Sequence, residues 1–397
     1  MRQLNLLVFL LFFIQFLNAQ PIVKSEYIAI DKKALLIPDS LTTTTDGIAG
    51  YINSNFNTNK EKARAAYIWV ASNIQYDIQN MFAINIYASK EEKIDKTLKT
   101  RKGICENYAS LFNDVISKCG LKSYIIEGYA GTSAKDYIQH MWCITYIDTS
   151  WHLIDPTWGS GYVSAQKFVK KINNDYFCAN PETLIKTHMP FDYLWQLLYY
   201  PVTNQEFYEG KTTKNTSKPF FNYVDSIKIY EQQTYVEQLT ASAIRVEKNG
   251  LKNSMIFDRL QHIKMDIEND KIHAANQKGE LYNTALVYYN DAVKEFNVFI
   301  NYRNHQFKPA KPDTEIQSMI DSVNATLDKV KSNLRKISDP PPSLEMLLTP
   351  FRKSIIDFDN NIKEQQDWLN VYFSKPSSKR NSIFYEKKIS WFGVPLN

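Results

Sequence analysis

The chain has 397 residues, a formal net charge of +5, 44% hydrophobic residues and 14% aromatic residues. This length favours two domains, and the composition is sufficient for a sizeable hydrophobic core. The modest charge gives no case for nucleic-acid binding. Four cysteines in so long a chain exclude a disulfide-stabilised scaffold.

Residues 1–19 have the pattern of a signal peptide. Arg2 precedes an apolar run from Leu6 to Leu17, interrupted only by Gln15, and the small residue Ala19 precedes the predicted cut. The run is short for a membrane span, so we expect none after cleavage. The pattern therefore predicts export to the periplasm or the exterior of a bacterium. Retention as an uncleaved anchor is the alternative.

Cys105 is predicted to lie at the start of a helix. Gly103 permits a tight turn before it, and Gly120 is suited to end the helix. The residues between them that recur at helical spacing are Tyr108, Phe112, Ile116 and Cys119. Free backbone N–H groups and the helix dipole at such a position favour a thiolate, which is the reactive form of cysteine. The alternative is a small buried residue, as for Cys119, Cys143 and Cys178, of which one pair could bridge.

His140 and Asp155 are predicted to lie near the same open end of a β-hairpin. Residues 142–147 are typical of a strand, residues 148–150 favour a turn, and residues 151–155 indicate the return strand. The register is not determined by the sequence. Aspartate beside the imidazole would set its tautomer and support the imidazolium, as in a nucleophile, base and orienter triad. The alternative is a structural histidine and a turn aspartate.

A metal site is the competing interpretation of these residues. Nitrogen and sulfur ligands are available from Cys105, His140, Cys143 and His152. However, His140 and Cys143 fall on opposite faces of one strand, because side chains alternate along it. The sequence also has no Cys-x-x-Cys pair. We therefore predict neither a metal nor a cofactor.

The C-terminal part of the chain has a different character. Residues 210–219 are polar and lack periodicity, which is typical of a linker. Beyond them, apolar residues alternate spacings of four and three, with breaks at residues 308–312 and 339–343. Long helices with narrow apolar seams and short breaks predict an antiparallel, coiled-coil-like bundle over residues 220–397. The seams are expected to form its core, and a groove for a protein partner is the alternative.

Residues 60–207 resemble a transglutaminase-like domain of the papain-related superfamily. The matching segments are KARAAYIWVASNIQYD, GICENYASLF, HMWCITYID and WHLIDPTWGSG, and the next segment, DYFCANPETLIKTHMPFDYLWQLLYYPVTNQEF, is similar to one in bacterial relatives of kyphoscoliosis peptidase. The resemblance implies an α+β fold with an antiparallel sheet. It also implies that Cys105 is the nucleophile, His140 the base and Asp155 the orienting carboxylate. No acidic cluster matches the calcium sites of animal transglutaminases.

The resemblance leaves one donor of the oxyanion hole unassigned. The backbone N–H of Cys105 is expected to supply one donor. Trp69 is the candidate for the second donor, although its helical run predicts a core residue instead. The unassigned donor keeps a non-catalytic alternative open, in which the same cleft binds a peptide or protein and the helices contact a partner.

These expectations combine into one reading of the chain. Residues 20–209 would be an exported, transglutaminase-like cysteine enzyme that acts on protein or peptide amides through a thioester acyl-enzyme. Water as the acceptor gives peptidase or amidase activity, whereas an amine gives transfer. The triad does not distinguish the two acceptors, because acceptor choice depends on the cleft.

Overall fold

The protein has mixed α and β structure, as its helical and strand patterns indicate. The computed structural model describes residues 26–81, 88–132 and 136–385. The predicted signal peptide lies outside these residues. Within the described ranges, helices are either too short or too polar to cross a membrane. The chain divides into two compact units, Met1–Lys264 and Met265–Asn397.

The first unit combines helices with a small sheet. Its helices are α1 Ile28–Ala34, α2 Thr45–Asn55, α3 Asn59–Asn73, α4 Lys90–Thr100, α5 Cys105–Lys118, α6 Pro181–Leu184, α7 Asn204–Tyr208, α8 Tyr223–Gln232 and α9 Tyr235–Asn249. Its strands are β1 Gln75–Tyr76, β2 Lys102–Gly103, β3 Ser123–Ala130, β4 Ile138–Ile147, β5 Ser150–Ile154, β6 Gly161–Ser164, β7 Lys167–Lys170 and β8 His188–Pro190. Helix α10, Ser254–Asn304, begins in this unit and continues into the second.

The main sheet has the strand order β5-β4-β3-β8, and all of its neighbours are antiparallel. The α+β class and the antiparallel sheet predicted from the sequence are confirmed. Gly128 of β3 lies opposite His140, and Cys143 of β4 lies opposite Ile154 of β5. Asp148, with φ of 55°, makes the turn between β4 and β5. This register brings the residue after β5, Asp155, toward the same end of the sheet as His140.

Helix α5 is positioned by its apolar face. Phe112 and Ile116 are fully buried in a core that also contains Cys143 of β4 and Ile154 of β5. The helix ends as the sequence predicts, because Gly120 adopts a φ of 85°, which is costly for other residues. Helix α5 and the sheet are therefore held together by apolar packing, and the N-terminus of the helix lies at a fixed place.

The division between the two units differs from the predicted linker. Residues 211–222 contain no helix or strand, in agreement with their polar sequence. However, Ile227 of α8 is fully buried in a core cluster of the first unit, where Trp195 and Tyr230 pack against it. Arg245 of α9 forms two hydrogen bonds of 2.7 and 2.8 Å to Asp192. Because α8 and α9 are packed in this way, the helical region predicted from residue 220 separates from the first unit only after residue 264.

The second unit is helical, as predicted. It contains the remainder of α10, α11 Asp313–Arg335 and α12 Pro342–Ser374. Its core includes apolar residues that recur at spacings of three and four along α11 and α12, namely Ile316, Ile320, Val323, Leu327, Val330, Phe351, Ile355, Phe358 and Ile362. The ring of Tyr289 contacts Phe351 and Phe358 edge-on, with centroid distances of 5.3 and 5.5 Å. The periodic apolar residues are thus covered within this unit. A 3-10 segment, Ser377–Phe384, follows α12.

Candidate active site

Cys105 is the first residue of α5, as predicted. The preceding residue, Ile104, has extended backbone, and its N–H donates a 2.9 Å hydrogen bond to Oδ1 of Asn107. Glycine is required at position 103, because a Cβ there would lie 2.5 Å from the Cβ of Asn107. The N–H of Asn107 donates to the carbonyl oxygen of Ile104 at 2.9 Å, whereas the N–H groups of Cys105 and Glu106 precede the first turn of intrahelical hydrogen bonds, next to a partly exposed thiol.

His140 and Asp155 form a buried pair. Nε2 of His140 lies 2.7 Å from Oδ2 of Asp155, and the two residues are 3% and 0% exposed. The other carboxylate oxygen, Oδ1, accepts hydrogen bonds from the backbone N–H groups of Thr157, at 2.8 Å, and Trp158, at 3.0 Å. The carboxylate is therefore fixed in orientation by the turn that follows β5.

The electrostatics of the pair favour an imidazolium. Burial alone would lower the pKa of His140, but the charge and hydrogen bond of Asp155, with a further hydrogen bond from Cys105, raise it to about 10. Burial alone would raise the pKa of Asp155, but His140 and His188 hold it well below its usual range. Since Nε2 of His140 is bonded to Asp155, Nδ1 is the ring nitrogen left for the sulfur. An imidazolium beside a cysteine stabilises the thiolate.

His188 is a residue of the site that the sequence interpretation missed. Its Nε2 lies 3.0 Å from Oδ2 of Asp155, and its Nδ1 lies 2.8 Å from Oγ1 of Thr187. It reaches the site because β8 pairs with β3, which places Ala130 opposite His188. Burial lowers the pKa of His188 and outweighs the opposing effect of Asp155, which favours the neutral form of this ring.

Among the residues that the structure describes, one group could hold a metal ion, and it consists of His140, Asp155 and His188. One ligand atom from each lies within 4.8 Å of the others. However, Oδ2 of Asp155 already accepts hydrogen bonds from both imidazoles, so a cation would have to displace these protons. Of the four metal ligands considered from the sequence, Cys143 and His152 do not join Cys105 and His140. The thiol of Cys143 contacts the carbonyl of Ala109, and the ring of His152 contacts the hydroxyl of Ser150.

A cleft of about 880 Å³ opens beside His140. Aromatic rings dominate its walls, with Lys171 and Asp136 among the few charged residues. The aromatic lining residues are Tyr76, Trp158, Tyr162, Phe168 and Tyr176. The hydroxyl of Thr157 also lines the cleft, and it is buried without a hydrogen-bond partner among the described residues. Such a cleft suits an apolar ligand with a few polar groups.

Trp69 does not lie at this cleft, which corrects its assignment as an oxyanion-hole candidate. It is in the interior of α3, is 2% exposed and belongs to the hydrophobic core. The guanidinium of Arg101 covers its ring at 5.1 Å from the centroid. The helical spacing of its neighbours explains this position, because they direct that face of α3 into the core.

Tyr76, unlike Trp69, lies at the cleft. It is in β1 and pairs with Gly103 of β2, and Gly103 is two residues before Cys105. Tyr76 and His140 both line the cleft. Burial and the negative charge of Cys105 raise the pKa of Tyr76, so its hydroxyl remains protonated. The hydroxyl has no hydrogen-bond partner in the part of the chain that the structure describes.

A cysteine at a helix start beside a buried histidine–aspartate pair is the arrangement found in cysteine enzymes with a triad. Residues 46–156 match the model of the transglutaminase-like superfamily, and this chain therefore contains a domain of that superfamily. The family predicted from the sequence is confirmed.

Individual relatives share this part of the chain. This chain is 33% identical to the kyphoscoliosis peptidase of Mus musculus over 156 residues, and the match covers 37% of this chain and 23% of the relative. It is 23% identical over 205 residues to Hillarin of Drosophila melanogaster, covering 46% and 24% of the two chains. A crystal structure of a TGase is 20% identical with a TM-score of 0.24, over 41% of this chain and 40% of that one. This chain spans about a quarter of the length of the two curated relatives.

Proposed function

We propose that this protein is an exported cysteine enzyme that acts on amide bonds of peptides or proteins through a covalent thioester. The observation that carries the proposal is the hydrogen-bonded His140–Asp155 pair next to Cys105 at the start of α5, on an aromatic cleft. A thiolate–imidazolium pair supplies both a nucleophile and a general acid at neutral pH.

The proposed reaction has two halves. The Cys105 thiolate attacks the amide carbonyl carbon, and the C=O electron pair moves to oxygen. When the tetrahedral intermediate collapses, the C–N bond breaks, His140 gives its proton to the departing nitrogen, and a thioester remains on Cys105. An acceptor then attacks the thioester while His140 removes its proton, and the thiolate leaves. Water as the acceptor gives hydrolysis, and a primary amine gives transfer.

Tyr76 supplies the second oxyanion donor in this proposal. The backbone N–H of Cys105 is the first donor, because it is a free amide at a helix N-terminus. The Tyr76 hydroxyl is supported by its position on the strand next to β2, its place on the cleft wall and its lack of another partner among the described residues. Two donors would suffice to stabilise the charge that develops on the carbonyl oxygen.

The test is a screen of peptide amides with and without a primary amine, followed by mass spectrometry of products and of the acyl-enzyme. Cys105→Ala should abolish turnover, whereas Cys178→Ala should retain it, because Cys178 packs against the hydrophobic core and burial raises the pKa of its thiol to about 12. Peptide binding to the cleft without any thioester, unchanged in Cys105→Ala, would contradict the proposal and indicate an interaction module instead.

Export is the second part of the proposal, and it is supported by the sequence of residues 1–19. N-terminal sequencing of the mature protein should begin at Gln20. Recovery of the intact chain from the cytoplasm of its own host would contradict export.

A further inference from the structure

We propose that His188 is a positioning residue, which holds the Asp155 carboxylate as a neutral N–H donor and so keeps the His140 imidazolium directed at Cys105. The site would then consist of four side chains, with two imidazoles in opposite protonation states on one carboxylate oxygen. The effect on turnover rests on the proposed amide chemistry, but the protonation and orientation of the rings do not.

The hydrogen bonds determine which nitrogen of His188 carries the proton. A carboxylate at its natural charge only accepts, so Nε2 of His188, 3.0 Å from Oδ2, must be the donor. Oδ2 also receives the N–H of His140, and Oδ1 receives the N–H groups of Thr157 and Trp158. Asp155 is thus held by four N–H donors, and His188 is one of the two that are side chains.

Thr187 can donate to the same tautomer from the other side of the ring. Its hydroxyl lies 2.8 Å from Nδ1 of His188 and 3.3 Å from the carbonyl oxygen of Leu184. A hydroxyl has one proton, and if it goes to Nδ1, the nearer of the two acceptors, that nitrogen carries no proton of its own. This bond and the bond to Asp155 therefore support one neutral form, with the proton on Nε2.

The surroundings of His188 disfavour a second positive charge. The ring is 1% exposed, and the ring centroid of His140 lies 5.3 Å away. The groups that face it from the packed elements are Trp142 at 5.4 Å, Trp158 at 4.5 Å and Tyr176 at 5.9 Å, between ring centroids. Among the residues with described positions, Asp155 is the one carboxylate that it contacts, and this carboxylate is shared with the His140 imidazolium. Burial without a second counter-charge keeps the ring neutral.

His188 also supports the walls around the base. Trp142 stacks on His140 with a centroid distance of 5.8 Å and an interplanar angle of 25°. The His188 ring contacts this same indole edge-on, at 89°. Loss of the imidazole would therefore remove one hydrogen bond from the carboxylate and one ring contact from the indole that restrain His140, and the imidazolium would be held less firmly beside Cys105.

The first experiment is nitrogen NMR of the imidazole rings in the wild-type protein, which needs no substrate. We expect His188 to be neutral at pH 7 with the proton on Nε2, and to gain a second proton only at a lower pH than an ordinary histidine does. Titration of His188 at or above the pH of an ordinary histidine, or a proton on Nδ1 instead, would overturn the proposal.

The second experiment compares His188→Leu with His188→Gln, whose amide N–H can replace the Nε2 donor. The pH profile of Cys105 alkylation should move to higher pH in the leucine variant, because the imidazolium is released, and remain near wild type in the glutamine variant. On a substrate from the screen, the leucine variant should lose on the order of 10¹ to 10² in turnover. His152→Leu, the same change at another sheet histidine, should alter neither.

An alkylation profile of His188→Leu that equals the wild-type profile would refute the positioning role, whatever happens to the melting temperature. If the leucine variant does not fold, the glutamine variant and the wild-type NMR still decide. Inactivity of the wild-type protein on every amide, with the predicted ring states and alkylation shift present, would refute the proposed function and leave this inference standing.

Discussion

Replacement of Asp155 by asparagine changes one atom at the most constrained point of the site. Oδ1 can still accept the backbone N–H groups of Thr157 and Trp158. The amide NH₂ must then occupy the place of Oδ2, where it faces the Nε2 atoms of His140 and His188 at 2.7 and 3.0 Å. Donor therefore meets donor, unless a ring changes its tautomer, and the His140 imidazolium loses its counter-charge.

The size of the effect on stability follows from these contacts. A hydrogen bond to a charged group contributes about 1.5–3 kcal/mol, and removal of one partner of a buried ion pair costs about 3–5 kcal/mol. Because Asp155 is 0% exposed, solvent does not compensate for the loss. We expect Asp155→Asn to lower the free energy of unfolding by about 3–5 kcal/mol. At roughly 2–4 °C per kcal/mol, the melting temperature should fall by roughly 6–20 °C.

The effect on turnover should be large but smaller than in a serine enzyme. In a serine triad the equivalent change lowers turnover by about 10⁴, because the wrong tautomer cannot accept the nucleophile's proton. A thiolate is nucleophilic without full proton transfer, so we expect a fall on the order of 10² to 10³. The alkylation rate of Cys105 near neutral pH should also fall, since the stabilising imidazolium is lost.

The assay combines turnover, alkylation and thermal unfolding in the same preparations. The matched control is Asp175→Asn, which makes the same chemical change at an exposed residue in the 3-10 turn Asn174–Tyr176. The control should behave as wild type in all three measurements. Wild-type turnover and alkylation in Asp155→Asn, at a melting temperature that still allows folding, would remove Asp155 from the site.

Three further predictions follow from the same geometry. Tyr76→Phe should lower turnover by a factor on the order of 10¹ to 10³, because it removes an oxyanion donor, and it should leave Cys105 alkylation unchanged, because alkylation forms no oxyanion. Tyr162→Phe, on the same cleft, is the control, and equal turnover in the two variants would exclude Tyr76 as the donor. Gly128→Ala should destabilise the protein by about 1–3 kcal/mol, because a Cβ there would lie 2.6 Å from the Trp142 ring and 2.7 Å from the Cα of Pro190. Gly50→Ala should not destabilise it, because a Cβ there would have no atom within 4 Å, and chemical denaturation measures the stability of both variants. Because the pKa of His140 is raised from 6.5 to about 10, the stability that it contributes should be fully present below pH 6.5 and lost as the pH rises through about 10. Thermal unfolding from about pH 6 to about pH 10 should therefore show a steeper decline in wild type than in His140→Gln, and parallel curves would contradict the ion pair.

The parts of the site that the sequence could predict are those with local signals. The helix at Cys105 follows from helical spacing between Gly103 and Gly120, and the structure has α5 and the positive φ of Gly120 at these positions. The strand that contains His140 follows from its run of β-branched and aromatic residues. These signals depend on neighbours in the chain, which a sequence displays directly.

The parts that the sequence could not predict depend on pairing between distant segments. His188 lies 33 residues after Asp155 and reaches it only because β8 pairs with the far edge of β3. Tyr76 reaches the cleft through the two-residue ladder between β1 and β2. Neither residue belongs to a local motif, so only the register of the strands reveals its neighbours. A histidine preceded by threonine in a short apolar stretch is too common a pattern to have indicated a site.

The predicted linker and the division into compact units fall at different places in the chain for a related reason. The polar residues near 210–219 suggested a boundary, but a polar segment without helix or strand shows only that the chain turns there. The helices that follow return to the first unit through Ile227 and through the paired side chains of Arg245 and Asp192. The spacing of apolar residues along a helix predicts which face is buried, but it does not predict which other part of the chain packs against that face.

The four N–H donors of Asp155 explain how a charged side chain can be wholly buried at this site. An isolated carboxylate would not remain ionised away from water. Here two donors come from the turn after β5, one from β4 and one from β8, so the charge is satisfied only when three parts of the fold are in place. Assembly of the sheet and assembly of the base are consequently one event. A partly unfolded chain would lack an oriented His140, and the proposed enzyme would expose no activated thiolate until the first unit had folded.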